Sequence, residues 1–205
     1  MDAVSQNMIS HVYHKREGYK STFPLFYKLK RQGLYPLYIT MDGERSVMRA
    51  IKDIWPETII QRCLFHIQRE GMRWLRTYPK AQAGRELRFL LKTLCRIDTA
   101  SEMEIFITSY SKWLEEHRSF VQGLPREQVA CKDLKKTMSL LNNAMPDMFH
   151  YLSDKKIPKT TNILEGFYSR LKADYRKHRG LTEKHKLNYL SWYCHFNNYK
   201  KTNTL

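Results

Sequence analysis

The stretch from Tyr35 to His66 constrains the fold more than any other part of the chain. It opens with an apolar, β-branched run that ends at Asp42-Gly43, continues through residues 44–55 with apolar side chains at helical spacing, and closes in a second strand-like run at 58–64. This order predicts a βαβ unit with parallel strands and a right-handed crossover. Asp42 then lies at the carboxyl end of the first strand, the edge at which open α/β sheets place their chemistry.

Outside this unit the sequence predicts one more strand and many helices. Residues 7–13 alternate loosely, as in a strand. Residues 19–32 predict a helix, because basic side chains occupy its last turns and Gly33 follows as the residue that ends it. From His66 to about Asp154 the pattern is almost purely helical. Ser101 is the expected N-cap of one of these helices, because glutamates follow it in the first turn.

The C-terminal part of the chain predicts two helices, at about 161–178 and 182–199, with a break at Gly180. The first carries an apolar stripe of Leu164, Tyr168, Leu171 and Tyr175, beside a stripe of Glu165, Ser169, Lys172 and Arg176. We therefore expect a mostly helical α/β protein in three parts: 1–66, the first part of the core with Asp42; 67–155, an all-helical insertion; and 156–205, the C-terminal helices of the core with Glu165.

The charge balance favours a polyanionic partner. The 205 residues include 36 Lys and Arg against 20 Asp and Glu, which gives a formal net charge of +16. Such a surplus attracts nucleic acid, although a protein can also be basic without that purpose. The four cysteines show no paired spacing, which favours free thiols in a reducing compartment. The sequence has no signal peptide and no apolar run long enough to span a bilayer, so no membrane is expected.

Each candidate site residue has a plain structural explanation when it is taken alone. Asp-Gly is a frequent turn pair, so Asp42 needs no chemistry. Glu165 in the first turn of a helix stabilises the helix dipole. Cys63 and His66 form a Cys-x-x-His pair, but zinc takes four ligands and no second pair stands at a suitable spacing, so we do not expect a structural zinc there.

The block from Arg170 to Arg179, with Lys184 to Lys186 after it, is cationic with aromatic residues beside it. Phosphate binding is the functional interpretation of this block, and a solvated helix face is the structural one. A basic helical protein that binds RNA is the alternative from a different functional class. That alternative predicts no coupling between Asp42 and Glu165.

Taken in order, the motifs resemble the Mutator-type DDE transposases, which include many bacterial insertion-sequence enzymes. The resemblance covers about residues 18–199. It is carried by the ordered set Asp42-Gly-x-x-x-x-Met-x-Ala-Ile, Trp55-Pro56, Gln61-Arg-Cys63-Leu-Phe-His66, a long helical stretch, and Thr161-Asn-Ile-Leu-Glu165-Gly-Phe.

This resemblance implies an RNase H-like fold, a mixed sheet in the order 3-2-1-4-5 flanked by helices. It also implies two Asp and one Glu that hold two divalent metal ions, Mg²⁺ or Mn²⁺. Asp42 matches the second Asp, Glu165 matches the Glu, and Cys63 and His66 match the family's Cys-x-x-His signature. From their position beside Glu165, the expected DNA-backbone contacts are Arg170, Lys172, Arg176 and Arg179.

The implied function is metal-dependent DNA strand cleavage and strand transfer during transposition of an insertion-sequence element. Both steps place negative charge on attacking and leaving oxygens, and two Mg²⁺ ions about 3.5–4 Å apart stabilise both. The implied partners are double-stranded DNA, at the element ends and at the target, and further copies of the chain as a homo-oligomer on DNA. The implied location is the cytoplasm of a bacterium, at the nucleoid.

The match fails at the first catalytic Asp. Asp2 is the only Asp before Asp42, and no strand precedes it. We therefore expect a partial chain that lacks the first strands and the first Asp, in which the Asp42 strand loses its central neighbour and exposes a backbone edge. The alternative function is that of a non-catalytic DNA-binding transposase remnant, which interferes with an intact transposase.

Overall fold

The computed structural model describes residues 1–14, 16–125, 127–178 and 180–202. Helices account for 65% of it, and the described strands form a small two-stranded parallel sheet. The helices are α1 Tyr19–Arg31, α2 Arg45–Ile54, α3 Leu64–Leu75, α4 Gln82–Thr93, α5 Ala100–Gly123, α6 Val129–Ala144, α7 His150–Ser153, α8 Asn162–Tyr175 and α9 Glu183–Thr202. The strands are β1 Tyr38–Met41 and β2 Ile59–Arg62. The prediction of a mostly helical protein with a parallel βαβ unit is confirmed.

The chain divides into two compact units. Unit 1 consists of Met1–Ile39, Glu44–Ile59 and Thr161–Leu205, and unit 2 consists of Thr40–Gly43 and Ile60–Thr160. The predicted domains, 1–66, 67–155 and 156–205, are a different kind of division, because a unit defined by contacts need not fold alone. Those domain boundaries stay a prediction.

In unit 1, helices α1 and α2 pack against each other, and the most buried side chains of α1 are polar. The apolar pattern of residues 19–32 predicts a packed face at Phe23, Phe26, Tyr27 and Leu29, of which three are half-buried and Tyr27 is 52% exposed. Instead Ser21 and Thr22 are buried, and their hydroxyls donate to the Gly18 carbonyl oxygen at 2.9 and 2.8 Å. Burial is tolerated because both hydroxyls are hydrogen-bonded. Phe26 does contribute as predicted, with its ring centroid 5.4 Å from that of Trp55.

The N-terminal segment of unit 1 is not a strand. Residues 7–13 carry no strand structure, because an amide side chain satisfies the backbone of Met8 instead of a neighbouring strand. Asn198 Nδ2 donates to the Met8 carbonyl at 3.0 Å, and the Met8 N–H donates to Asn198 Oδ1 at 2.8 Å. The Met8 side chain packs with Phe167, Leu171 and Cys194.

The buried stripe of α8 is rotated relative to the prediction. Leu171 is buried and Leu164 packs against the same cluster, as expected, but Phe167 is buried in place of Tyr168, which is 39% exposed. The sequence offers aromatic residues at both positions, so spacing alone does not choose between them. The choice matters because it sets the direction in which Glu165 points.

Unit 2 is a helical assembly in which α3 packs against α4 and α6, and α4 packs against α5. Its interior is aliphatic, with fully buried side chains at Leu64, Ile67, Leu87, Leu91, Leu94, Leu134 and Leu141. Trp113 on α5 is also buried, and its Nε1 donates to the Ala83 carbonyl on α4 at 2.9 Å. The helical insertion predicted from the pattern is therefore built mainly from leucine packing.

The N-cap of helix α5 lies two residues before the predicted one, and the helix runs further than predicted. Thr99, and not Ser101, is the N-cap, because Thr99 and Glu102 form a capping box in which each side chain bonds to the other's backbone. The sequence pattern predicts a break in this region near Arg118, whereas the structure has one helix to Gly123.

The described helices include none that is both long and apolar enough to cross a membrane.

Candidate functional site

The loop after β1 presents Asp42 to solvent and packs closely on an arginine. Asp42 is exposed, and Arg62 Nη2 donates to its backbone oxygen at 3.1 Å. Gly43 has φ +97°, and a Cβ atom placed there would lie 2.0 Å from Arg62 Cζ. The loop therefore needs glycine for two reasons, a left-handed backbone and the proximity of the guanidinium group. The turn interpretation of Asp42-Gly43 is right about the glycine, and it leaves the exposed carboxylate unexplained.

The Cys-x-x-His signature begins beside this loop. The Cys63 N–H donates to the Met41 carbonyl at 2.8 Å, so Cys63 lies next to the residue that precedes Asp42. The thiol is fully buried at the N-cap position of α3, and His66 is half-buried in the first turn of that helix. The Leu64 N–H donates to the Lys159 carbonyl at 3.0 Å. These contacts give Cys63 a structural position directly behind the candidate loop.

Glu165 lies in the first turn of α8, half-buried, as predicted. Thr161 stands at the N-cap position, where its hydroxyl donates to Glu165 Oε1 at 3.4 Å and its carbonyl accepts from the Glu165 N–H at 2.9 Å. A carboxylate at this position is stabilised by the positive end of the helix dipole. The Thr161 hydroxyl also restricts the direction of the Glu165 carboxylate.

The basic residues of α8 divide between two faces. Lys172 and Arg176 are exposed and share the face of Glu165, because seven and eleven residues correspond to rotations within about 20° of it. Arg170 is also exposed, but it lies five residues on, about 140° around the helix. Arg179 lies outside the described residues.

A carboxylate that the sequence analysis missed joins α8 to α9. Asp174 accepts from Lys177 Nζ at 3.0 Å and from the Tyr193 hydroxyl at 3.2 Å. These two bonds, the one from Lys177 first, hold the pKa of Asp174 below its ordinary value. Rings of Tyr175 and His178 pack on Tyr189 of α9. The sequence signal that could have identified Asp174 is a single Asp within a run of cations, a pattern that is typical of a structural ion pair.

The structure thus defines the local contacts of each described site residue within its own unit. Asp42, Cys63 and His66 belong to unit 2, and Glu165, Arg170, Lys172 and Arg176 belong to unit 1. A shared role for Asp42 and Glu165 stays a prediction that rests on the order of the motifs.

Comparison with protein families identifies the chain as a transposase. A family model described as "Transposase, Mutator family" matches residues 4–188. The chain belongs to the Mutator family of transposases, which confirms the resemblance drawn from the ordered motifs. No curated protein and no solved structure matches the chain. Membership of this family implies DNA binding and, in general, nuclease or transferase activity.

Proposed function

We propose that this chain carries the metal-dependent chemistry of an insertion-sequence transposase, DNA strand cleavage followed by strand transfer, on an RNase H-like DDE scaffold. Asp42 and Glu165 are the proposed catalytic carboxylates. The observation that carries the proposal is the family match over residues 4–188, combined with an exposed Asp42 directly after the first strand of a βαβ unit. Glu165 in the first turn of α8 follows the helical stretch in the expected order.

The donor chemistry of the two residues fits a hard divalent cation. Both offer carboxylate oxygens, which Mg²⁺ and Mn²⁺ prefer, and neither side chain is fully buried. Such ions, when bound, neutralise charge on the oxygens of the reacting phosphodiester. The chain supplies the orientation. Gly43 and Arg62 fix the loop that carries Asp42, and the Thr161 hydroxyl bonds to Glu165.

Double-stranded DNA is the proposed substrate, and Lys172 and Arg176 are the proposed backbone contacts nearest the chemistry. Both are exposed on the face of α8 that carries Glu165. A cation beside a metal-binding carboxylate holds the phosphate backbone without reading sequence. Arg170, on a different face, is proposed to contact a more distant part of the DNA. Assembly as a homo-oligomer on DNA is part of the same proposal.

The test is nicking of a supercoiled plasmid that carries the element ends, by the purified full chain with Mg²⁺ or Mn²⁺. The variants Asp42→Asn and Glu165→Gln each remove one proposed metal ligand and keep the side-chain shape. Asp154→Asn is the matched control for the first, an exposed Asp outside the site. Glu183→Gln is the matched control for the second, since Glu183 also lies in the first turn of a helix.

We expect metal-dependent nicking that falls at least a hundredfold in both site variants and stays within twofold in both controls. Equal activity in the site variants and their controls would contradict the proposal. DNA binding without any metal-dependent nicking would also contradict it, and would favour the alternative of a non-catalytic remnant that competes for DNA.

A further inference from the structure

We propose that Glu86, Glu116 and His117 form a binding site for a divalent transition-metal ion of the Zn²⁺ type, between helices α4 and α5. The residues lie in unit 2 and share no member with the proposed catalytic carboxylates. The proposal does not depend on the proposed function.

The three side chains converge because α4 and α5 pack against each other at this point. Their ligand atoms, one nitrogen and two carboxylate oxygens, all lie within 4.8 Å of one another. The buried Trp113 fixes the helix pair through its bond to the Ala83 carbonyl, and its ring centroid is 5.4 Å from that of His117. The site is therefore built on rigid elements and not on a loop.

The ligand types suit zinc and its neighbours better than magnesium. Zn²⁺ binds both imidazole nitrogen and carboxylate oxygen, and a site with three protein ligands leaves a fourth position for water. His117 Nε2 is now 2.5 Å from Glu86 Oε2. Tetrahedral zinc separates its ligands by about 3.4 Å, given bonds of about 2.0–2.2 Å. The ion would therefore replace the proton of this hydrogen bond and move the two atoms apart by about 1 Å.

The surroundings of Glu86 prepare it as a ligand. Gln82 Nε2 donates to Glu86 Oε1 at 2.7 Å, which orients the carboxylate and leaves Oε2 toward the histidine. The bonds from Gln82 and then His117 lower the pKa of Glu86. The His117 side chain is only 15% exposed, which shields that side of the site from water.

The site has an entry path, and two cations, Lys112 and Arg85, line the same cavity. Glu86 and Glu116 both line an open cavity of about 430 Å³. Lys112 Nζ lies 3.8 Å from Glu116 Oε1, in a pair whose two side chains are 75% and 52% exposed. Exposed pairs of this kind contribute little, so the lysine yields Glu116 to an ion readily.

The experiment is a titration of the chelator-treated full chain with Zn²⁺, followed by competition with a chromophoric chelator. The variants are Glu116→Gln, His117→Asn and the triple variant that adds Glu86→Gln. Glu115→Gln is the matched control, because Glu115 is exposed and precedes Glu116 on the same helix. Circular dichroism of each variant establishes that the helices are intact, and Glu116→Gln, at an exposed position, keeps the test usable if His117→Asn unfolds.

We expect one Zn²⁺ per chain, affinity at least tenfold lower in Glu116→Gln and His117→Asn, and no change in Glu115→Gln. An affinity for Zn²⁺ in the triple variant equal to that of the parent chain would overturn the proposal, because the ion would then bind elsewhere, for example at the cysteines. Absence of Zn²⁺ binding to the parent chain would overturn it too, and would leave His117 and Glu86 as a hydrogen-bonded pair only.

Discussion

At the scale of single residues, Gly43 is the position in the candidate loop where a side chain has no room. Its backbone is left-handed, and the guanidinium group of the buried Arg62 occupies the space that a side chain would need. Gly33 has a similar φ, +87°, but nothing lies within 4 Å of a Cβ atom there. A comparison of substitutions at the two glycines therefore separates backbone strain from steric conflict.

We predict that Gly43→Ala destabilises the chain by about 1–2 kcal/mol more than Gly33→Ala. Both substitutions carry the strain of an L-residue at positive φ, but only the first displaces Arg62 from the Asp42 carbonyl, a bond to a charged group. Urea denaturation of both variants measures the difference. Equal destabilisation would show that Arg62 moves aside at no cost.

The sequence singles out candidate site residues, but it does not predict the contacts that surround them. Asp42 and Glu165 were singled out by type and order, since an acid after a strand and an acid in a first helical turn are readable patterns. Arg62 was not, because a buried arginine below a glycine depends on a tertiary contact between β2 and the loop. Asp174 was missed for the same reason, as its partner Tyr193 lies on another helix.

At the scale of elements, a capping box holds the N-terminus of helix α5. Thr99 accepts from the Glu102 N–H, and Glu102 accepts from the Thr99 N–H. We predict that Thr99→Ala lowers the free energy of unfolding by about 1 kcal/mol, the usual cost of a lost cap, while Ser101→Ala leaves it unchanged. Thermal or urea denaturation of the two variants measures this. A larger loss from Ser101→Ala would restore the cap predicted from the sequence.

The hairpin of α8 and α9 should weaken in acid. The folded pKa of Asp174 lies below its unfolded value because of Lys177 and then Tyr193. Its contribution to stability is therefore fully present above the ordinary Asp pKa, about 3.9, and is lost as the pH falls through the lower folded value. We predict that Asp174→Asn is less stable than the parent at pH 6 and that the difference shrinks toward pH 3.

Urea denaturation at pH 6, 5, 4 and 3 measures this convergence, with Asp154→Asn as the control for loss of one exposed carboxylate. A difference between Asp174→Asn and the parent that stays constant with pH would contradict the ionic origin of the contact.

Element type was easier to predict than element partners. The βαβ unit was read correctly because its apolar periodicity changes from strand to helix and back within about thirty residues. Residues 7–13 alternate as in a strand, but they form none, and Asn198 on α9 bonds to the N–H and the carbonyl of Met8. Single-sequence patterns carry no information on a partner that lies 190 residues away.

At the scale of the whole molecule, the net charge of +16 should appear as a strong salt dependence of DNA binding. We predict that Lys172→Ala with Arg176→Ala lowers the slope of log K against log salt by about 2, because each phosphate contact contributes about 0.9. The matched control is Lys132→Ala with Lys136→Ala, an exposed pair on α6 with the same change in charge. Equal slopes in the two double variants would contradict a defined DNA-binding surface at Lys172 and Arg176, because any exposed cation would then contribute equally.

The grouping of separate stretches into one contact unit is a property that sequence patterns do not address. Unit 1 gathers three separate stretches of chain, including both the N-terminal segment and the last two helices. The family match, in contrast, was predictable, because it depends on residue order and not on which stretches meet.

The central claim is that Asp42 and Glu165 hold the same metal ions. Fe²⁺-directed backbone cleavage tests it directly, because Fe²⁺ bound in place of Mg²⁺ reduces added hydrogen peroxide to hydroxyl radicals that cut the chain beside its ligands. The account predicts cuts near residue 42 and near residue 165 together, both suppressed by excess Mg²⁺ and both lost in Asp42→Asn. Cuts at one position without the other, or at neither, would contradict it.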